Sequence, residues 1–348
     1  MTAGSNKRAP RRTSQAVSVL DVAREARVST ATVSRVLNGS ANVGEPLASR
    51  VRAVAVELGY TPHAAARALA TQRSTTIGAV IPSLENQNFA RGVFALQKRI
   101  VDAGYTLLLA CSYYDPEEEL KQVHALVADG IAGLMLVGRT HAPALYQLLA
   151  KKNIPFVNCW TVDSQHPYVG FDNVEIGRRL ADYLFDLGHR NFGIIVQRVQ
   201  SSDRAADRIS GVREALAARG LELKREHLIE TPHRSIEGQN AMKSLMQGPN
   251  RPSAVICGTD VLAIGALVQA RQSGIEVPRD VSIVGIDDIE FASFTTPPLT
   301  TMRLPAEEVG TRSAEYLLDR IAGRSVSAAN TLSVDLIVRG TAAAPREH

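Results

Sequence analysis

Cysteine is scarce in this chain: among 348 residues only Cys111, Cys159 and Cys257 occur, far apart and with no CxxC pair. That excludes a disulfide framework and a paired-cysteine zinc site, and fits a reducing compartment where the three pack as small apolar side chains. No apolar run approaches the roughly 20 residues a membrane-spanning helix needs. The basic N-terminus leads only to VSVL before Asp21 interrupts it, which argues against a secretory signal. A soluble, cytoplasmic protein with no membrane partner is expected. The sequence also lacks a GxGxxG fingerprint, a Walker loop, HExxH and GxSxG. Neither catalysis nor a metal or cofactor is expected.

What is present is enough apolar material for folded domains: 45% of residues are hydrophobic against 21% charged, which rules out a disordered chain. At about 150 residues per domain the length suggests two or so folded units. The net charge of +4 conceals an asymmetry. Residues 1–73 hold eleven Lys and Arg against four Asp and Glu, a net of +7, which leaves the remainder at −3. A basic head on a slightly acidic body points to a polyanion for the head and a separate task for the body.

Residues 1–16 are small, polar and basic without periodicity, and read as a disordered arm. Ser18 with Asp21 three residues on forms a helix start, and Leu20, Val22, Ala23 and Ala26 give that helix an apolar side. Ser29 opens a second short helix carrying Val33, Val36 and Leu37, which Asn38-Gly39 ends. Two short helices so joined form a helix-turn-helix. A third helix runs from about Glu45 to Leu58, with Pro46 in its first turn and Val51, Val54, Val56 and Leu58 covering the others. The unit spans 17–61. The stretch 62–75 is a hinge, conditionally helical over Ala64–Ala70, with a flexible linker as the alternative.

From Ile77 short β-branched runs alternate with amphipathic helices, and the pattern restarts after Phe171-Asp172-Asn173. That grammar predicts an α/β core at 76–340 built from two lobes, each a parallel sheet covered on both faces, with a cleft between the carboxyl ends of the strands. The expected division is 76–171 plus 303–323 for the first lobe and 172–302 plus 324–340 for the second. A last helix (305–322) and a final strand (331–338) are spare elements able to cross between lobes.

The string VLDVAREARVSTATVSRVLNG, continued by ELGYTPHAAARALATQRSTTIGAVIP, closely resembles the lactose-repressor family of bacterial transcription regulators, and the likeness runs from Ser18 to about Arg339. The resemblance implies a homodimer binding a palindromic double-stranded operator, a hinge helix that forms on DNA, and a core similar to periplasmic sugar-binding proteins that accepts a small effector. Residue by residue, Thr30 and Ala31 fall at the start of the recognition helix and Arg35 one turn on, placed for base edges in the major groove. Arg35 can grip a guanine in bidentate fashion. Ser29, Thr32, Ser34 and Asn38 correspond to backbone contacts. Leu69 takes the place of a leucine that wedges into the minor groove, and Ala66 matches the hinge alanine. His63 replaces the usual asparagine, and Gly44 and Leu47 depart from the common Ser and Thr at the start of the third helix.

In the core the same resemblance assigns Asp287 and Arg208 as the main effector-binding acid and base, able to grip hydroxyls or a carboxylate. Asn88, Phe89, Trp160, Phe171, His233 and Thr259 correspond to other pocket positions. Trp160 stands where many relatives have Asp, and His233 where many have an aromatic. The segments SLENQNFA, GRTHAP (138–143) and VGFDN (169–173) are most similar to the gluconate-repressor branch. Arg139, His141 and Arg208 then offer positive charge to a sugar acid. Two other classes compete: a DNA-binding protein without an effector, and a sugar-binding protein of the periplasmic type, which leaves the basic head unexplained.

Overall fold

The computed structural model describes residues 17–37, 43–60 and 74–346, and the chain divides into two compact units, Met1–Arg73 and Ser74–His348. The expected arm, Asn38 and most of the expected hinge lie outside the described residues.

The first unit holds α1 (Val19–Glu25), α2 (Thr30–Leu37) and α3 (Glu45–Glu57). Asp21 starts α1 by accepting from both the Ser18 amide (2.9 Å) and the Ser18 hydroxyl (2.7 Å), so one carboxylate satisfies two donors at the helix entrance. Ser29 does the same office for α2, its Oγ accepting from the Thr32 N–H at 3.2 Å. Gly59, at φ +65°, closes α3 in the left-handed conformation that glycine adopts without a Cβ clash. The core is made of short side chains: Val22, Ala23, Ala26, Val33, Val36, Ala48, Val51 and Ala55. Leu20 and Val56, expected to help cover it, instead point outward at 62% and 81% exposure. The inward stripes are taken by Val22, Ala23 and Ala26 on one helix and by Ala48, Val51 and Ala55 on the other, and the helical step carries the two longer residues off them.

The second unit contains two six-stranded sheets of matching order. The first runs β11 (Ala329–Thr331), β5 (Tyr168–Gly170), β4 (Phe156–Cys159), β3 (Gly133–Val137), β1 (Thr76–Ile81), β2 (Thr106–Cys111), all parallel. The second runs β12 (Asp335–Ile337), β10 (Thr300–Arg303), β9 (Ser282–Asp287), β8 (Ala254–Cys257), β6 (Phe192–Gln197), β7 (Leu228–Thr231), parallel except for the antiparallel edge β12. The central strands β3 and β9 are buried at every position, as strands covered on both faces must be.

Helices α4 (Gln87–Asp102), α5 (Pro116–Ala128), α6 (Pro143–Lys152) and α11 (Ala306–Ile321) cover the first sheet. Helices α7 (Asn173–Asp186), α8 (Asp203–Ala217), α9 (Ser235–Leu245) and α10 (Asp260–Gln272) cover the second. Close glycine crossings fix three helix pairs. A Cβ on Gly211 of α8 would stand 1.8 Å from the Val174 carbonyl of α7, and one on Gly177 would stand 2.0 Å from the Arg208 carbonyl. Gly310 meets Gly92 in the same manner between α11 and α4, and Gly265 meets Ser235 between α10 and α9.

The segment 324–340 is divided between the sheets rather than confined to the second lobe, and the expected strand 331–338 is two short ones. Strand β11 joins the first sheet beside β5, and β12 joins the second beside β10. The chain thus passes between the lobes three times: after β5, after β10 and after β11. Among the described residues, no helix is long and apolar enough to cross a membrane.

Candidate nucleic-acid interface and ligand cleft

Burying Val33 and Val36 of α2 against the small core turns the opposite side of that helix to solvent. Thr30, Ala31 and Arg35 are exposed there, as is Ser29, while Thr32 and Ser34 are half-buried. The Ser29 and Thr32 hydroxyls bond each other at 2.9 Å, so both are partly held in place at the helix entrance. Helix α2 has no acid in its first turn, and its N-terminal N–H groups and Arg35 suit a polyanion. Asn38, His63, Ala66 and Leu69 lie outside the described residues.

In the second unit the carboxyl ends of both sheets converge, as doubly wound folds place their crevices. The cleft floor is a polar chain. Asn88, at the start of α4, donates through Nδ2 to Asp287 Oδ1 at 2.8 Å, and Asp287 ends β9. Arg208 donates from Nε to Asn173 Oδ1 at 3.0 Å and from Nη1 to the Gly258 carbonyl at 2.7 Å. Asn173 in turn donates to the Trp160 carbonyl at 2.9 Å. Phe89 meets Trp160 edge to face, centroids 5.2 Å apart. Trp160 (φ +61°) and Asp287 (φ +125°) both hold a backbone conformation disfavoured for a side chain, a strain that clusters at binding sites.

Four buried polar atoms of this cavity have no hydrogen-bond partner among the described residues: Asn88 Oδ1, Trp160 Nε1, Gln197 Oε1 and Asp287 Oδ2. Orphans of this kind each cost free energy and mark a place built for something else to bond. Burial raises the Asp287 carboxyl to about 6 against the opposing pull of Arg208. Burial also lowers Arg208 to about 10. The inner cavity itself is small, about 20 Å³, but Tyr114, Ser202 and Arg204 also line a second cavity between the lobes, of about 310 Å³, together with Arg139, Asp203 and Asp207.

The fold brings together Asn88, Phe89, Trp160, Arg208, Thr259 and Asp287 around this cavity. It separates the other four. Phe171 is fully buried in the hydrophobic core and does not line this cavity. His233 lines a neighbouring cavity of about 490 Å³, with Nε2 buried and unpartnered. Burial and then Arg208 depress its ring to about 4, which keeps it neutral at pH 7. Arg139 sits at the rim, held by Asp207, and His141 is buried against Glu119. Neither offers a free cation to the cavity.

Sequence reasoning missed Asn86, Tyr114, Gln197, Ser202, Arg204 and Leu304, which also line it. Gln197 ends β6, and Asn86, Tyr114 and Ser202 lie within five residues after the ends of β1, β2 and β6, so the rule that crevices form beyond strand ends is a usable signal for them. Nothing comparable pointed to the rotamer of Arg204, which lies over Phe89 and bonds Asp203 at 2.7 Å.

Residues 18–63 match the family described as bacterial regulatory proteins, lacI family, and residues 181–342 match a periplasmic binding protein-like domain. The chain is 30% identical over 330 residues to the HTH-type transcriptional repressor CytR of Escherichia coli K12, covering 94% of this chain and 96% of that protein. It is 33% identical over 303 residues to the ribose operon repressor of Haemophilus influenzae, covering 86% and 91%. Among solved structures, the lac repressor dimer bound to operator and the anti-inducer ONPF superposes with a TM-score of 0.85 at 27% identity, covering 95% of this chain and all of that one. With both domains matched in the order the fold presents them, and a repressor related over almost its whole length, the chain belongs to the bacterial lacI family of regulatory proteins and is a DNA-binding transcriptional regulator.

Proposed function

We propose that the protein is a homodimeric repressor that reads a palindromic operator with α2 in the major groove and is tuned by a small polyhydroxylated effector enclosed in the cleft. The observation that carries the effector reading is the set of buried, unpartnered polar atoms around the Asp287 and Arg208 pair. Three of the four are oxygens, which suit hydroxyl donors, and the fourth is the Trp160 N–H, which suits an oxygen acceptor. A sugar or other polyol supplies both. The reading places the protein in the bacterial cytoplasm, on the nucleoid when bound.

The balance of charge favours a neutral polyol over a sugar acid. Asp207 engages Arg139, Glu119 engages His141 and Asp203 engages Arg204, which leaves Arg208 opposite Asp287 as a matched pair. An acid would have to draw Arg204 away from Asp203.

Large apolar side chains left exposed support self-association: Leu84, Phe94, Val101 and Leu109 on the first lobe, Phe291 and Phe294 on the second. The likeness to a repressor dimer seated on its operator supports the same arrangement. Isothermal titration with gluconate, related aldonates, neutral hexoses and pentoses tests the cleft. Selection from random DNA, repeated with each sugar that gives heat, tests the coupling. Absence of any preferred DNA sequence would overturn the operator reading, and absence of heat from every polyol would overturn the effector class.

A further inference from the structure

The GRTHAP segment does not line the inner cavity, although Arg139 and Thr140 line the larger one beside it, and its geometry has a further use. Gly138 and Arg139 follow β3 in the first lobe, while Asp203 and Asp207 occupy the first turns of α8 in the second. The Arg139 guanidinium makes two parallel bonds to Asp207, Nη1 to Oδ2 at 2.5 Å and Nη2 to Oδ1 at 2.7 Å. The Arg139 backbone N–H donates to Asp203 Oδ2 at 2.5 Å. Three bonds therefore join one loop of one lobe to one helix of the other, at the mouth of the cleft. Gly138 makes the approach possible: a Cβ there would stand 2.4 Å from Arg204 Nη1 and 2.9 Å from Asp203.

The loop is itself braced from behind. His141 is 1% exposed, its Nδ1 lying 2.7 Å from Glu119 and its Nε2 3.1 Å from the Gly138 carbonyl. The Tyr146 hydroxyl donates to the Arg139 carbonyl at 3.3 Å and accepts from Asn158 at 3.0 Å. A loop whose only task was to meet solvent would need none of this bracing.

We propose that Arg139 and Asp207 form an interlobe latch that draws the cleft shut, and that His141 is a positioning residue for it. The latch is a bidentate, charge-assisted pair at the partly wet rim, so it weakens as salt screens it. It gives the lobes a closing tendency of their own, and the effector adds to a closure already favoured. The inference rests on the cleft being the effector site, yet its test needs no effector.

The Arg139 amide bonds only across the cleft, so its hydrogen exchange in the intact, unliganded protein reports opening directly. Exchange is followed at single-amide resolution in the wild type, in Asp207→Asn, and in the charge swap Arg139→Asp with Asp207→Arg. The expected result is exchange on the order of tenfold faster at position 139 in Asp207→Asn, with β3 amides unchanged, and recovery in the swap. Raising salt to about 1 M should accelerate the wild type but not Asp207→Asn. Unchanged exchange in Asp207→Asn at low salt, or a wild type indifferent to salt, would overturn the latch. The salt arm needs no variant and stands even if a substitution fails to fold.

Discussion

Asn88 and Asp287 lie 199 positions apart in the chain and meet across the cleft, the amide nitrogen donating to one carboxylate oxygen at 2.8 Å. The contact uses only half of each group. Asp287 Oδ2 and Asn88 Oδ1 are buried without partners among the described residues, so a guest rich in hydroxyls would gain bonds there.

Asp287→Asn should therefore weaken binding of whichever polyol wild type prefers by about 10- to 100-fold, the loss of a charge-assisted bond. The same change removes a buried carboxylate, so the unliganded protein should unfold at an equal or higher temperature at pH 8. Titration calorimetry and thermal melts check the two halves. A variant both less stable and still tight-binding would contradict the assignment.

Arg35→Ala should abolish sequence-specific retention of operator DNA while leaving weak, salt-sensitive association, because a bidentate guanine contact carries roughly 1–3 kcal/mol of discrimination. Footprinting reads this directly. An unaltered footprint would remove α2 from its assigned role.

Gly211→Ala should cost about 3 kcal/mol or more, since its Cβ would fall 1.8 Å from the Val174 carbonyl and force α7 and α8 apart. Arg208 lies on the displaced helix, so effector affinity should fall with stability. Denaturant unfolding beside a polyol titration tests whether the two losses travel together.

A pH signature is expected from Asp260, which accepts from the Thr301 hydroxyl at 2.5 Å and the Ile289 amide at 2.9 Å beneath Asp287. Burial, and next the charge of Asp287, push its carboxyl up to about 7 from an ordinary 3.8. A raised acid stabilises the fold fully below its unfolded value and loses that contribution as pH climbs through the folded one. Relative to Asp260→Asn, wild type should lose on the order of 2 kcal/mol between pH 5 and 8. Parallel stability curves for the two proteins would show that the group is ionised throughout.

Much of this architecture could be read from residue pattern alone. The runs GLMLV and AVIC are apolar at every position, as strands buried on both sides are, and they form β3 and β8. Strand β5 escaped, and β11 and β12 were merged into one strand at 331–338, because three residues are too few to show a period and the identity of each is set by the neighbour it pairs with. In the site, Asn88, Arg208 and Asp287 were legible because each stands in a distinctive string. Arg139 and His141 stand in such a string too, but each is engaged by a carboxylate. A sequence displays a cation, whereas the anion that engages it, Asp207 or Glu119, is chosen by the fold.

The threefold passage of the backbone between sheets makes neither lobe a continuous stretch of chain. A break after Gly323 would take the edge strand from both sheets at once, since β11 and β12 lie beyond it on opposite sides. Neither lobe can therefore be cut out of the chain as one uninterrupted segment.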